Sequence, residues 1–267
     1  MLKSDETSPS NTMLNANDTC SISSINLPLS CELAPSQPTL HPLPSAPEIV
    51  DPNPPVSVST PLVKVTNIYI SSSMFRGLCE KKLSSTTQNA VVFSYPGATA
   101  RGILHKLQND VKFSKIDKTQ VSKVFLLCGT NNVDQILDVK HINRASFINH
   151  HQSSVYLLDK SKSDISNLID YLHHWSNTAA IHTINILPRE SATRNYVINE
   201  LNNHLKEQSM SKDYVKFVST EFERNLFTFS DGHRKNNLFH PWGSDNVHLN
   251  SIGIIKLAKH LKYYAHK

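Results

Sequence analysis

Lys123-Val124-Phe125-Leu126-Leu127-Cys128, followed at once by Gly129-Thr130-Asn131-Asn132, is the stretch on which the fold turns. The first six residues are apolar enough to be a strand buried on both faces, and the glycine and two asparagines close it with a turn. Outward on the N-terminal side, residues 63–70 (VKVTNIYI) read as a first strand, with helical character over 74–83. Residues 90–95 (AVVFSY) read as a second strand, ended by Pro96-Gly97, before a helix over 98–107. On the C-terminal side a less regular stretch, 133–160, leads to a helix over 164–175, where Ile165, Leu168, Ile169 and Leu172 form one stripe. Residues 180–187 (AIHTINIL) are a fourth strand, 190–208 a long helix, 214–219 (YVKFVS) a fifth strand and 251–264 a final helix. Five strands separated by helices imply parallel pairing and right-handed crossovers, hence a three-layer α/β/α domain.

Ligands of such sheets sit beyond the carboxyl ends of the strands, so the residues standing there matter most. After strand one comes Ser71-Ser72-Ser73; a serine there is a helix cap or a nucleophile near amides that favour negative charge. After strand two, Gly97 serves a tight turn or lets the backbone approach a ligand. After strand three, Asn131 ties down its own loop or donates to an oxyanion. In the last loop, Asp245 and His248 are three residues apart, close enough for the carboxylate to orient the imidazole as a general base. Each has an ordinary structural role open to it. Taken together, they supply one nucleophile, two sources of oxyanion donors and a base with its orienter, each at the carboxyl edge of the sheet or in the last loop.

The arrangement resembles the SGNH hydrolases, an esterase and lipase superfamily with a flavodoxin-like sheet. Residues 70–78 look like its first block, with Ser73 as nucleophile; Tyr95-Pro96-Gly97-Ala98 looks like the second; residues 126–132 match the third, with Asn131; and Asp245-Asn246-Val247-His248 matches the last, ahead of Gly253 in the final helix. The likeness spans roughly 63–264. The first block departs from the usual Gly-Asp-Ser by reading Ser71-Ser72-Ser73. The resemblance implies a flavodoxin-like, five-stranded parallel sheet and a triad of Ser73, His248 and Asp245. It implies an oxyanion hole built from the Ser73 and Gly97 amides and the Asn131 side chain, acting on a small ester or acylated substrate. It implies no metal and no organic cofactor. The domain behind its long arm also looks like SGNH-type domains encoded by some eukaryotic retroelements.

The remainder of the chain bounds these readings. Residues 1–61 hold 11 of the 14 prolines and none of the 7 glycines. Residues 1–60 carry Lys3 against six acids, which leaves 26 basic and 16 acidic residues from position 61 onward. The arm, 1–61, therefore reads as disordered, proline-stiffened and acidic, and 62–267 as a basic folded domain. No run approaches the roughly 20 apolar residues of a membrane span. The start lacks a secretory pattern, and the four scattered cysteines read as reduced thiols in the cytosol or nucleus. The basic surplus leaves a second class of function open, a catalytically weak or inactive domain acting as an RNA-binding or interaction module, with Lys256, Lys259 and Lys262 as a phosphate-facing stripe or simply a solvated helix face. His150-His151 and His173-His174 read as surface or packing residues. Trp242 lines a pocket or pins its loop, and 222–241 forms a lid, a substrate wall or a loose connection. The oligomeric state stays open.

Overall fold

The computed structural model describes residues 64–137, 151–221, 225–230, 233–240 and 247–267, with the backbone alone over 151–154. The chain divides into two units, Met1–Ser57 and Val58–Lys267, and every described residue lies in the second. The expectations for the arm, for Trp242 and for Asp245 lie outside the described residues, as does part of 222–241.

The described order is β1 (Val65–Ser71), α1 (Glu80–Leu83), β2 (Gln88–Ser94), α2 (Ala100–Asn109), α3 (Val111–Ser114), β3 (Val121–Leu127), α4 (Thr130–Leu137), α5 (His151–Trp175), β4 (Ala180–Ile184), α6 (Ala192–Ser211), β5 (Val215–Val218) and α7 (Ser251–His266). The five strands form one sheet, order β2-β1-β3-β4-β5, with all four pairings parallel. This is the flavodoxin-like arrangement, and the order reverses at β1, so the crevice for a ligand opens between the ends of β1 and β3.

Both faces of the sheet are covered, which is why the central strands lack a polar side. Ile68, Ile70, Val124, Leu126 and Ile181 pack under Ile103 and Leu107 of α2, Ile165, Leu168, Ile169 and Leu172 of α5, and Val197, Ile198 and Leu201 of α6. On the other face Tyr69, Phe125, Leu127 and Ile184 meet Leu257 and Leu261 of α7, with Phe227, Leu238, Val247 and Leu249 from the irregular segment before it. Across that face Tyr69 stacks on Phe125 with centroids 4.9 Å apart, and Phe125 meets the ring of buried His182 at 4.9 Å. Burial, with Lys123 and Lys216 nearby, pushes the His182 imidazole down to about 4.

Two devices close the margins. At the β2 edge, Val92 N–H donates to the Glu80 carboxylate at 2.8 Å and Ala90 N–H to the Ser84 hydroxyl at 3.0 Å, which satisfies amides that would otherwise invite another strand. At the far end of α7, Lys123 Nζ donates to the carbonyls of Tyr264 (3.0 Å) and Ala265 (2.9 Å), and Gln88 Nε2 to Ala265 (3.1 Å). A cation on the last carbonyls of a helix is favoured by the helix dipole.

Two stretches differ from the sequence expectation. Residues 74–83 are not one helix: they turn after Ser73, Gly77 takes φ +91°, and only Glu80–Leu83 is helical. Met74, Phe75 and Leu78 are all buried, so they anchor a compact turn rather than form a helical stripe. The stretch 133–160 contains the helix α4 and the first turns of α5. Thr130-Asn131-Asn132 disguises the start of α4, which Val133 and Ile136 fix by burial. Val155 and Tyr156 in α5 are exposed, so that part of α5 carries no core-facing period to read.

Candidate active site

Ser71 at the end of β1 lies level with Ser94 of β2 and Leu127 of β3, so three turns leave the sheet at one height. The turn after β1 is bonded to itself and to its neighbour. Ser71 Oγ accepts the Phe75 N–H at 2.9 Å, and Ser73 C=O accepts the Arg76 N–H at 3.0 Å. Ser94 Oγ donates to the Ser72 carbonyl at 2.7 Å, and Tyr95 N–H to the Ser71 carbonyl at 2.9 Å. Met74 and Phe75 plug the turn into the core, which leaves Ser73 with 8% of its surface exposed, on the rim. The serine at 71 uses its hydroxyl as an internal cap for this turn. The Ser72 hydroxyl is buried and finds no hydrogen-bond partner among the described residues.

The turn after β2 brings out Pro96 and Gly97, both exposed, and a side chain at Gly97 would meet nothing within 4 Å. The turn after β3 is tightly enclosed. Gly129 has φ +98°, a conformation that favours glycine, and a Cβ there would lie 2.5 Å from Ile186 Cδ1 and force that side chain to move. Asn131 Nδ2 donates to the Ala98 carbonyl at 3.0 Å, while Asn132 Oδ1 accepts the Ala100 N–H at 2.9 Å and its Nδ2 donates to Ser161 Oγ at 3.2 Å. Two successive asparagines thus hold the second loop against the third.

Behind that turn stands Arg189, just past β4 and 2% exposed. Its Nη2 donates to the Thr130 carbonyl at 3.3 Å and to Asp134 Oδ2 at 3.2 Å, and Arg194 Nε reaches Asp134 Oδ1 at 3.3 Å. Cys128, buried below the same turn, has its thiol pushed up to about 12 by burial, which keeps it protonated and unreactive.

His248 is exposed on a segment whose flanking residues, Val247 and Leu249, share one apolar cluster with Met74 and Phe75. Its carbonyl accepts the His240 N–H at 2.8 Å, and Leu249 bridges Phe239 in antiparallel fashion. Asn250 ties this segment to α7: Oδ1 accepts the N–H groups of Ile252 and Gly253, each at 3.0 Å. Its Nδ2 donates to the carbonyls of Asn237 at 2.8 Å and Phe239 at 3.2 Å. A Cβ at Gly253 would sit 2.2 Å from the Leu238 carbonyl, so this glycine allows the helix to lie directly on the segment.

The structure therefore brings the turns of Ser73, Gly97 and Asn131 together through hydrogen bonds, and seats the His248 segment on the core that holds the Ser73 turn. Sequence reasoning missed Asn132, Arg189, Asp134 and Asn250. The repeated asparagine at 131–132 was a signal for the first; a lone arginine after Pro188 carried none. The histidines at 173 and 174 prove to be packing and surface residues, His173 stacking on Tyr214 at 3.6 Å. Among the described residues no cluster of His, Cys, Asp or Glu is placed to hold a metal, and no helix is long and apolar enough to cross a membrane. Of the lysine stripe on α7, Lys256 and Lys259 are exposed, and Lys262 donates to the Lys82 carbonyl at 3.4 Å.

No protein-family model matches the sequence, and no curated protein is detectably similar to it. Solved structures are similar in fold. A Streptococcus pneumonia protein provisionally named a platelet activating factor superposes with a TM-score of 0.55 at 21% identity, over 79% of this chain and 86% of that one. An extracellular lipase from Streptomyces rimosus gives 0.53 at 11% identity, over 74% and 99%. A GDSL-like lipase from Bacteroides thetaiotaomicron gives 0.51 at 12% identity, over 74% and 86%. The chain has the fold of the GDSL/SGNH lipases and acylhydrolases. Nothing in these likenesses bears on the retroelement-encoded type.

Proposed function

We propose that the protein is a serine ester hydrolase of SGNH type. The observation that carries this reading is the delivery of Gly97, Ser73 and Asn131 by three adjacent strands, β2, β1 and β3, to one edge, on turns bonded to one another. In the reaction Ser73 Oγ attacks an ester carbonyl as His248 takes its proton, and Asp245 orients the imidazole. The Ser73 and Gly97 amides and Asn131 Nδ2 hold the oxyanion. Asn131 Nδ2 carries two hydrogens; the one on the Ala98 carbonyl fixes its direction and leaves the second for the substrate oxygen. The alcohol departs with the proton from His248, and water, activated by the same imidazole, releases the acid and restores Ser73.

A fluorophosphonate probe on the purified full chain tests this reading. Wild type becomes labelled and Ser73→Ala does not. Equal labelling of both proteins, or ester hydrolysis that survives Ser73→Ala and His248→Ala, would overturn it.

A second reading has one observation behind it. The Ser71 and Ser72 side chains both turn into the protein in place of the usual Gly-Asp, in a domain rich in basic residues. A domain without catalysis, binding RNA through that basic surface, would show no probe labelling and a steep fall in RNA affinity with salt.

A further inference from the structure

Beyond the carboxyl ends of β4 and β5 a groove of about 380 Å³ runs between α6 and the start of the segment after β5, lined by Asn185, Asn199, Asn202, Asn203, Lys206 and Phe217 among others. An adjoining hollow of about 210 Å³ shares Asn185, Asn199 and Asn202 and extends to Asn195. Along α6 the residues 195, 199, 202, 203 and 206 recur at helical spacing, so four asparagines and a lysine occupy one stripe. Asparagine is a weak helix former, and exposed helix positions ordinarily hold Glu, Lys, Gln or Ala.

Two of the four have a structural use. Asn195 grips the backbone of Arg189, accepting its N–H and donating to its carbonyl, both at 2.8 Å. Asn202 does the same at Ile186, at 2.7 and 3.2 Å. The side chains of Asn199 and Asn203 are exposed in the groove and make no hydrogen bond among the described residues. Facing them is Asn185, 6% exposed, whose Oδ1 is held by the Thr220 N–H at 2.7 Å. Its Nδ2 makes only a 3.4 Å contact with the Ile186 carbonyl.

The charges select the ligand. The Glu221 carboxylate is fully engaged, accepting from Thr220 Oγ1, the N–H groups of Phe227 and Thr228 and the Thr228 hydroxyl. Among the described residues one lysine, Lys206, lines the groove with it, 5.7 Å from the Phe217 ring. Among these residues a single cation beside a carboxylate does not make an anion site, and a wall of amides does not suit an acyl chain. Each amide offers a carbonyl acceptor and two N–H donors side by side, which matches neighbouring hydroxyls that both give and take hydrogen bonds. We propose that this groove binds a neutral saccharide, with Asn199, Asn203 and the inner Asn185 on its hydroxyls. The site lies two to three strands from β1 on the same sheet edge, about 10–15 Å at strand spacing, and does not depend on Ser73 being a nucleophile.

The test is a titration of the ¹⁵N-labelled full chain with xylotetraose and, separately, chitotetraose, following side-chain amide resonances assigned through Asn199→Ala and Asn203→Ala. The Asn199 and Asn203 amides shift saturably at millimolar sugar, and the double variant, still folded by its melting curve, binds about tenfold or more weakly. No shift with either sugar overturns the proposal. So does an affinity unchanged in the double variant, and so does binding of a galacturonate oligomer alone, which would make the groove an anion site.

Discussion

The side-chain amide of Asn131 donates to the Ala98 carbonyl at 3.0 Å, so the loop after β3 is bonded to the loop after β2. The residue proposed to hold the oxyanion is thereby also a strut between two of the turns of the candidate site. Asn131→Ala removes both roles. Turnover of a p-nitrophenyl ester falls roughly 10²–10³-fold through loss of the donor. Urea unfolding shows a loss of about 1 kcal/mol from the strut. A variant that loses only stability would assign Asn131 to architecture.

Arg189 supports the same turn from inside the protein through Thr130 and Asp134. Arg189→Met leaves the Thr130 carbonyl without this donor and lowers stability by about 2–4 kcal/mol in urea unfolding. Asp134→Asn, at a half-exposed carboxylate, costs less than about 1 kcal/mol. Equal losses in the two variants would contradict this ranking.

Asn250 separates helix capping from positioning of the His248 segment. Asn250→Asp keeps the acceptor for the Ile252 and Gly253 amides but loses the donors to Asn237 and Phe239, so melting temperature changes little while ester turnover drops. Asn250→Ala loses both sets, and stability falls by about 1–2 kcal/mol. Matched turnover in Asn250→Asp and wild type would show that His248 needs no such support.

His182 sets an acid limit. Burial, then Lys123 and Lys216, lower its folded value to about 4, below the ordinary 6.5. Neutral His182 is therefore favoured in the fold, and its contribution is complete above pH 6.5. As pH falls from there toward 4 the unfolded chain binds the extra proton first, and up to ~3 kcal/mol is lost. His182→Phe, which keeps a ring against Phe125, flattens this part of the stability profile between pH 6.5 and 4. An unchanged slope in the variant would exonerate His182.

Asn199 and Asn203 sit on an exposed helix face. Their joint replacement by alanine raises stability by about 1 kcal/mol from helix propensity alone, read as a higher melting temperature of the double variant. A lower melting temperature would mean that the pair already serves the fold.

The succession of strands and helices along the chain was legible because its signals are local: 124–128 is apolar throughout, and Pro96 and Gly129 follow closely on the ends of β2 and β3, whereas Pro188 lies four residues beyond the end of β4. The residues at the strand ends were legible as a set, since Ser73, Gly97 and Asn131 each follow a readable strand. What sequence did not disclose depends on contacts across the fold. Arg189 matters because it meets Thr130, and Asn250 because it meets Asn237 and Phe239. The turn at 74–78 looked helical because Met74, Phe75 and Leu78 are spaced suitably for a helix, yet each is drawn into the core from a tight turn.

The bonds from Gln88 and Lys123 to the last carbonyls of α7 have a consequence for synthesis. The sheet face beneath the Ser73 turn is roofed by a helix made after all five strands, and that helix is locked to strands made far earlier. On the ribosome, strands β1 to β3 can pair and collect α2 and α5, but the face of Tyr69 and Phe125 is completed only when the segment before α7 and α7 itself emerge. Domain completion thus comes late in synthesis, and in the interval before it the nascent chain presents apolar surface to chaperones.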